Sequence, residues 1–151
     1  MIQDVISSSI CLVYIIPVIL FLYTHNPIHV MAFLGSCIVI ITECIKHCIG
    51  KKSTRPKGAT DCNVFCNNGD VSGQPGMPSG HSFGAAFFSG FYCQQTNNIW
   101  IQFILIIYAI LIMISRYIKK CHTIGQIGAG GTIGLIFSWI INRIGAPFMS
   151  A

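Results

Sequence analysis

Three short segments of this 151-residue chain combine cations, histidines and backbone donors in a way that suits a phosphate ester. The first is Lys46 followed by Arg55-Pro56. The second is Gly76-Met77-Pro78-Ser79-Gly80-His81-Ser82. The third is Ser115-Arg116, with His122 six residues after the arginine and Gln126 four further on. Arg55 and Arg116 are permanently charged forks that grip phosphate oxygens two at a time, and Lys46 adds a point charge. Pro78-Ser79-Gly80 leads into a helix, with Ser79 as its cap. The free N–H groups of that first turn, at Ser79 and Gly80, form an anion site aided by the helix dipole. Gly80 has no Cβ and lets backbone come close. His81 sits on the same first turn, and His122 begins the last helix and can face the phosphate from the other side. Two histidines across one phosphate suit a nucleophile and a general acid. Gln126 shares a helical face with His122 at i+4. Its carbonyl can accept the Nδ1 proton and leave Nε2 free to attack phosphorus.

These residues must be positioned by elements that live in lipid. Hydrophobic residues make up 53% of the chain and charged residues 9%, and the mean hydropathy is +0.68. A soluble domain is about 25% charged, so a water-facing surface is hard to build here. Spans of about 20 apolar residues cross a bilayer. The expectation is an all-α, polytopic membrane bundle of about five spans forming a single domain, 1–151. The spans are 6–23, with Pro17 a candidate kink, then 28–49, a shorter helix over 79–94 capped by Ser79, 99–114 and 123–144. The start, Met1 to Asp4, lacks a signal peptide's basic region, so the first run reads as a retained anchor. Residues 50–78 form the one long polar loop, and Arg116 to Lys120 a basic connection. Five spans put both of these, and the N-terminus, on one face by parity. Gly130 and Gly134 have the spacing of close helix packing in lipid.

Composition also excludes. The +5 net charge lies between apolar runs, with no soluble basic patch to track a duplex, so nucleic acid is not an expected partner. Only four acids exist, Asp4, Glu43, Asp61 and Asp70, and they are scattered. A two-metal phosphatase needs clustered carboxylates, so a histidine mechanism with no metal and no cofactor is expected.

The three segments resemble the signature motifs of the type 2 phosphatidic acid phosphatase and vanadium haloperoxidase superfamily. Those motifs are K-x6-R-P, P-S-G-H, and S-R with a histidine six residues after the arginine and an aspartate four later. Gly-Met-Pro-Ser-Gly-His-Ser running into Phe87-Phe88-Ser89-Gly90-Phe91-Tyr92, and Cys121-His122-Thr123-Ile124-Gly125-Gln126, are most similar to the dolichyldiphosphatase branch. The likeness covers about residues 43–131. It implies hydrolysis of a polyprenyl or dolichyl diphosphate through a phosphohistidine. His122 would be the nucleophile and His81 the acid, with Lys46, Arg55, Ser79, Gly80 and Arg116 holding phosphate. Phosphatidic acid or another lipid phosphate is the alternative substrate, a lipid phosphotransferase the alternative activity, and a non-catalytic membrane or virion scaffold the alternative class.

Two departures stand out. Eight residues separate Lys46 from Arg55 where the motif has six, so either Lys46 or Lys51 fills the lysine role. Gln126 replaces the usual aspartate, as the resemblance implies for this branch. The family's six helices also become five.

The remaining polar residues have plainer readings. Glu43, three residues before Lys46, is expected to form an ion pair. His25, His29 and His47 read as interfacial, and Trp100 as an interface anchor. Cys62 and Cys66 have a loose zinc-ligand spacing with Cys121 or His122. Eight of the nine Lys and Arg lie on the N-terminal face, which the positive-inside rule assigns to the cytoplasm. The resemblance implies instead a luminal face, in the endoplasmic reticulum, where Cys62 and Cys66 would meet an oxidising space and could pair.

Overall fold

The computed structural model describes residues 2–149, with side chains through residue 145. Among the described residues, seven α-helices make five rods. The first rod is α1 (Ile2–Ser8) and α2 (Leu12–Thr24), joined by a 3-10 turn at Ser9–Cys11. The second is α3 (Ile28–Cys37) and α4 (Val39–Ile49), extended by a 3-10 turn at Gly50–Lys52. The others are α5 (Gly80–Cys93), α6 (Ile99–Ile118) and α7 (Ile124–Met149). Among the described residues, four stretches are long and apolar enough to cross a membrane: Ile2–Thr24, Ile28–Lys52, Ile99–Ile118 and Ile124–Gly145. They expose Ile, Leu, Val, Phe and Trp on their outer sides, as lipid contact requires. The first rod begins four residues before the expected span and runs on through Pro17 as helix.

α5 is the exception. Its 14 residues rise only about 21 Å, short of the ~30 Å hydrocarbon layer. It is apolar nearly all round and sits in the middle, as such a helix must. Phe83, Phe87 and Phe91 fill one side, and Ala85 and Phe88 another. α6 and α7 flank it, and α3 and α4 touch it from the other side. Small residues let the backbones approach. A Cβ on Gly130 would collide with the Ser79 carbonyl, and one on Gly134 with the Phe83 carbonyl. The Gly130–Gly134 pair therefore packs α7 onto the start of α5.

α6 runs past the expected 114, so Arg116 lies in its last helical turn and not in a connection. The reason is that its two terminal nitrogens find acceptors inside the protein. The N-terminus, the polar loop and the α6–α7 connection meet at one end of the bundle, as parity requires. Lys119 Nζ donates to Asp4 Oδ1 at 2.7 Å and to the Asp61 carbonyl at 2.9 Å. The polar loop is more ordered than its composition suggests. Arg55 N–H donates to the Gln74 carbonyl at 2.8 Å, and Val71 N–H to the Ala59 carbonyl at 2.9 Å. Those antiparallel links close a small core of Ala59, Val71 and a disulfide between Cys62 and Cys121.

That disulfide corrects the Cys62–Cys66 pairing entertained for a luminal face. Cys62 pairs with Cys121, 59 residues away, and Cys66 is a free thiol. Two of the three thiols considered for zinc are consumed. Cys66 instead meets Lys119 Nζ at 3.0 Å and Ser8 Oγ at 3.6 Å.

Candidate active site

A cavity of about 380 Å³ opens at the polar end. Lys46, Arg55, Gly80, His81 and His122 line its polar side, with Glu43 beside Lys46. Ile10, Tyr14, Val39 and Val64 make an apolar wall, and Cys62, Asn63 and Asn68 come from the loop. Each element delivers its residue for a local reason. Ser79 caps α5, its Oγ accepting from Ser82 N–H at 3.4 Å, so His81 falls on the first turn. The α6–α7 connection is closed by Cys121 N–H and His122 N–H donating to the Arg116 carbonyl at 3.0 and 3.4 Å. His122 is thereby held just before α7.

Of the two lysines left open by the sequence, Lys46 is 7% exposed and lines the cavity, whereas Lys51 is exposed. The Gly50–Lys52 3-10 turn takes up the extra residues before Arg55. Lys46 is ion-paired with Glu43 as expected.

The His122 ring can be assigned a tautomer. Gln126 Nε2 donates to the Thr54 carbonyl at 2.8 Å and to Ser53 Oγ at 3.1 Å. Gln126 Oε1 accepts from Thr123 N–H at 3.1 Å. The carbonyl and the N–H are unambiguous partners, so the amide cannot be turned over. Oε1 lies 3.3 Å from His122 Nδ1, which must then carry the proton. Nε2 keeps its lone pair, and Arg55 Nη1 faces it at 3.3 Å while also donating to the Cys121 carbonyl at 3.2 Å. Burial, then the Arg55, Arg116 and Lys46 charges, push the His122 pKa down to about 2. The ring is a neutral imidazole with an available electron pair.

Other expected phosphate groups sit differently. Arg116 is fully buried and outside the cavity wall. Its two terminal nitrogens donate to Ser7 Oγ and to the Cys62 carbonyl, and Nε has no partner. Ser79 N–H is already given to the Gln126 carbonyl at 3.0 Å. Among the described residues, the N–H groups of Gly80 and His81 are the ones left open at the start of α5. The buried Arg55 Nε and His81 Nε2 are likewise unpartnered. Buried donors without partners are costly, and here they gather around one polar cavity. Together they can receive a tetrahedral oxyanion. No group of three or more His, Cys, Asp or Glu poised for a metal ion exists among the described residues.

Sequence reasoning missed Ser7, Ser53 and Thr54 as supports of the site. The Ser7-Ser8-Ser9 triplet inside an otherwise apolar run was the available signal for the first. For the other two there was none.

A family model described as the PAP2 superfamily matches residues 27–149. Searches of curated proteins and of solved structures returned no match.

Proposed function

Since the chain belongs to the PAP2 superfamily, whose members are generally phosphoesterases, we propose that it is a membrane lipid phosphatase of the dolichyldiphosphatase type, converting a polyprenyl diphosphate to the monophosphate. The observation that carries this reading is the line Gln126–His122–Arg55. It leaves one neutral imidazole nitrogen facing a cationic cavity whose other wall is apolar. A lipid diphosphate needs both walls.

The reaction has two steps. The terminal phosphate settles against Arg55, Lys46 and the Gly80 and His81 N–H groups. Arg55 then exchanges its contact with His122 Nε2 for phosphate oxygens, which frees the lone pair. Nε2 attacks the terminal phosphorus. The bond to the bridging oxygen breaks, and that oxygen takes a proton from His81, which enters the step as an imidazolium beside the bound anionic phosphate, and leaves as the lipid monophosphate. Water then attacks phosphorus, with His81 accepting its proton, and the phosphohistidine breaks to inorganic phosphate and free His122. The fixed cations and backbone donors stabilise charge in both transition states, usually the largest catalytic contribution. Arg116 acts from behind the cavity wall, its two terminal nitrogens tying the first helix to the loop.

The Cys62–Cys121 bridge supports an active face in an oxidising compartment, because such bridges are rare in the cytosol. The basic bias of that face points the other way, but Lys46, Arg55, Arg116 and Lys119 are held by internal partners and need not report topology. We place the face in the lumen of the endoplasmic reticulum or an equivalent non-cytosolic space.

The test is phosphate release in detergent from a panel of polyprenyl diphosphate, polyprenyl monophosphate and phosphatidic acid, with EDTA present and with vanadate added. The expected result is release from the diphosphate, undiminished by EDTA and blocked by vanadate. Activity lost in EDTA and restored by magnesium or zinc contradicts the histidine mechanism, and release from phosphatidic acid alone contradicts the substrate.

A further inference from the structure

We propose that Asn68 is a specificity residue, whose side-chain amide donates to the second, lipid-linked phosphate of a diphosphate substrate. The inference rests on the functional reading above and adds the feature that tells a diphosphate from a monophosphate.

Asn68 lines the cavity that holds His81 and His122, and it is exposed, so it stands at the opening. Its amide orientation is fixed by the backbone. Oδ1 accepts from Cys62 N–H at 2.8 Å and from Asn63 N–H at 3.3 Å. Both partners are donors, so the oxygen belongs there and the NH2 group must point elsewhere. That NH2 has no protein partner among the described residues. Asn63 lines the same cavity but is not equivalent, because its Nδ2 is spent on Asn67 Oδ1 at 2.7 Å. Asn68 is therefore the amide donor left open on the loop side. It is also held firmly, since Cys62 is bridged to Cys121, one residue before His122. A donor on this segment keeps its place relative to the nucleophile.

The chemistry follows from the two depths of the cavity. The deep donors, Arg55, Lys46 and the start of α5, are what any terminal phosphate meets. A monophosphate ester has no further anion, and its ester oxygen leads directly into hydrocarbon. A diphosphate carries a second anionic group one bridge further out, where it meets the opening. A hydrogen bond from a neutral amide to an anionic oxygen is one of the stronger kinds. It also stabilises the leaving group, whose charge grows as the bridge breaks.

The experiment compares wild type, Asn68→Asp and Asn68→Ala on a polyprenyl diphosphate and the monophosphate of the same chain. Asn68→Asp keeps an oxygen for the Cys62 and Asn63 N–H groups, so the loop is preserved, and exchanges the donor for a charged acceptor. Its kcat/KM for the diphosphate should fall by about tenfold or more, while that for the monophosphate stays within about threefold. Asn68→Ala, which removes the donor without adding charge, should move the ratio the same way. Equal losses on both lipids, or no loss on either, overturn the assignment alone. A wild-type protein that leaves the diphosphate intact overturns the functional reading, and this assignment with it.

Discussion

Replacing Gln126 by alanine removes four hydrogen bonds at once, two made by Oε1 and two by Nε2. Their losses fall on different properties. The Thr123 N–H and the Thr54 carbonyl each lose a partner in a site only 2% exposed at Gln126. An orphaned buried group costs about 1–3 kcal/mol, so the variant should lose about 2–4 kcal/mol of stability, with water offsetting the rest. The His122 Nδ1 proton loses its acceptor, so the ring is free to rotate or change tautomer. Losing such an orienting partner lowers turnover by roughly 10–100-fold. Asn, Asp and Glu at this position would each restore part of the set, and aspartate is the informative one. It is one methylene shorter and has no donor for Thr54, but it can accept from Nδ1. Gln126→Asp should therefore recover much of the turnover and little of the stability. The assay pairs initial rates of phosphate release with thermal midpoints in one detergent. An alanine variant within about twofold of wild type in kcat would refute the idea that Gln126 aims the nucleophile.

Reducing the Cys62–Cys121 bridge should lower turnover, because the carbonyls of its two half-cystines anchor Arg116 and Arg55. Burial pushes the Cys66 thiol up, but Lys119, Ser8 and Ser7 outweigh it and leave its pKa lowered, so it should react readily with maleimides. An impermeant maleimide should label Cys66 from the non-cytosolic side only, and Cys62 and Cys121 only after reduction; labelling of Cys66 from the cytosol contradicts the luminal reading. The depressed His122 pKa makes stability pH-dependent with a definite sign. The folded ring stays neutral down to about 2, while in the unfolded chain it takes a proton near 6.5. This contribution is complete above about 6.5 and is lost as pH falls, by at most about 1.4 kcal/mol per unit. Denaturation at pH 7, 6 and 5 should show a shallower decline in His122→Asn than in wild type, and parallel declines would contradict the assignment.

Much of the architecture was legible because lipid imposes it. Four runs with the length and hydropathy of a span became rods, and P-S-G-H marked the start of the fifth helix through the capping chemistry of Ser79. The Gly130–Gly134 spacing likewise foretold a close helix contact, though not that its partner is α5. What the sequence could not give were relations set by the tertiary fold. Cysteine spacing does not fix connectivity, so the near pair Cys62 and Cys66 was the natural guess, and the distant Cys121 won because the loop folds back over the α6–α7 connection. Arg116 read as a phosphate-gripping fork, but in the fold its two terminal nitrogens are taken by Ser7 Oγ on the first helix and by the Cys62 carbonyl. Ser79 offered its N–H to an anion on paper, but Gln126 sits in the first turn of α7, and Gly130 lets that helix come close enough for the Gln126 carbonyl to accept the Ser79 N–H.

The central claim is that His122 becomes covalently phosphorylated. Wild-type protein, His122→Ala and His81→Ala would be mixed with a polyprenyl diphosphate labelled in its terminal phosphate and quenched within milliseconds. Wild type should yield a phosphoenzyme that is stable to base and labile to acid. His81→Ala should form it slowly and break it down slowly, since that residue supplies and removes protons in the two steps. His122→Ala should form none. A trapped phosphohistidine in His122→Ala would contradict the account and assign the nucleophile to the other ring.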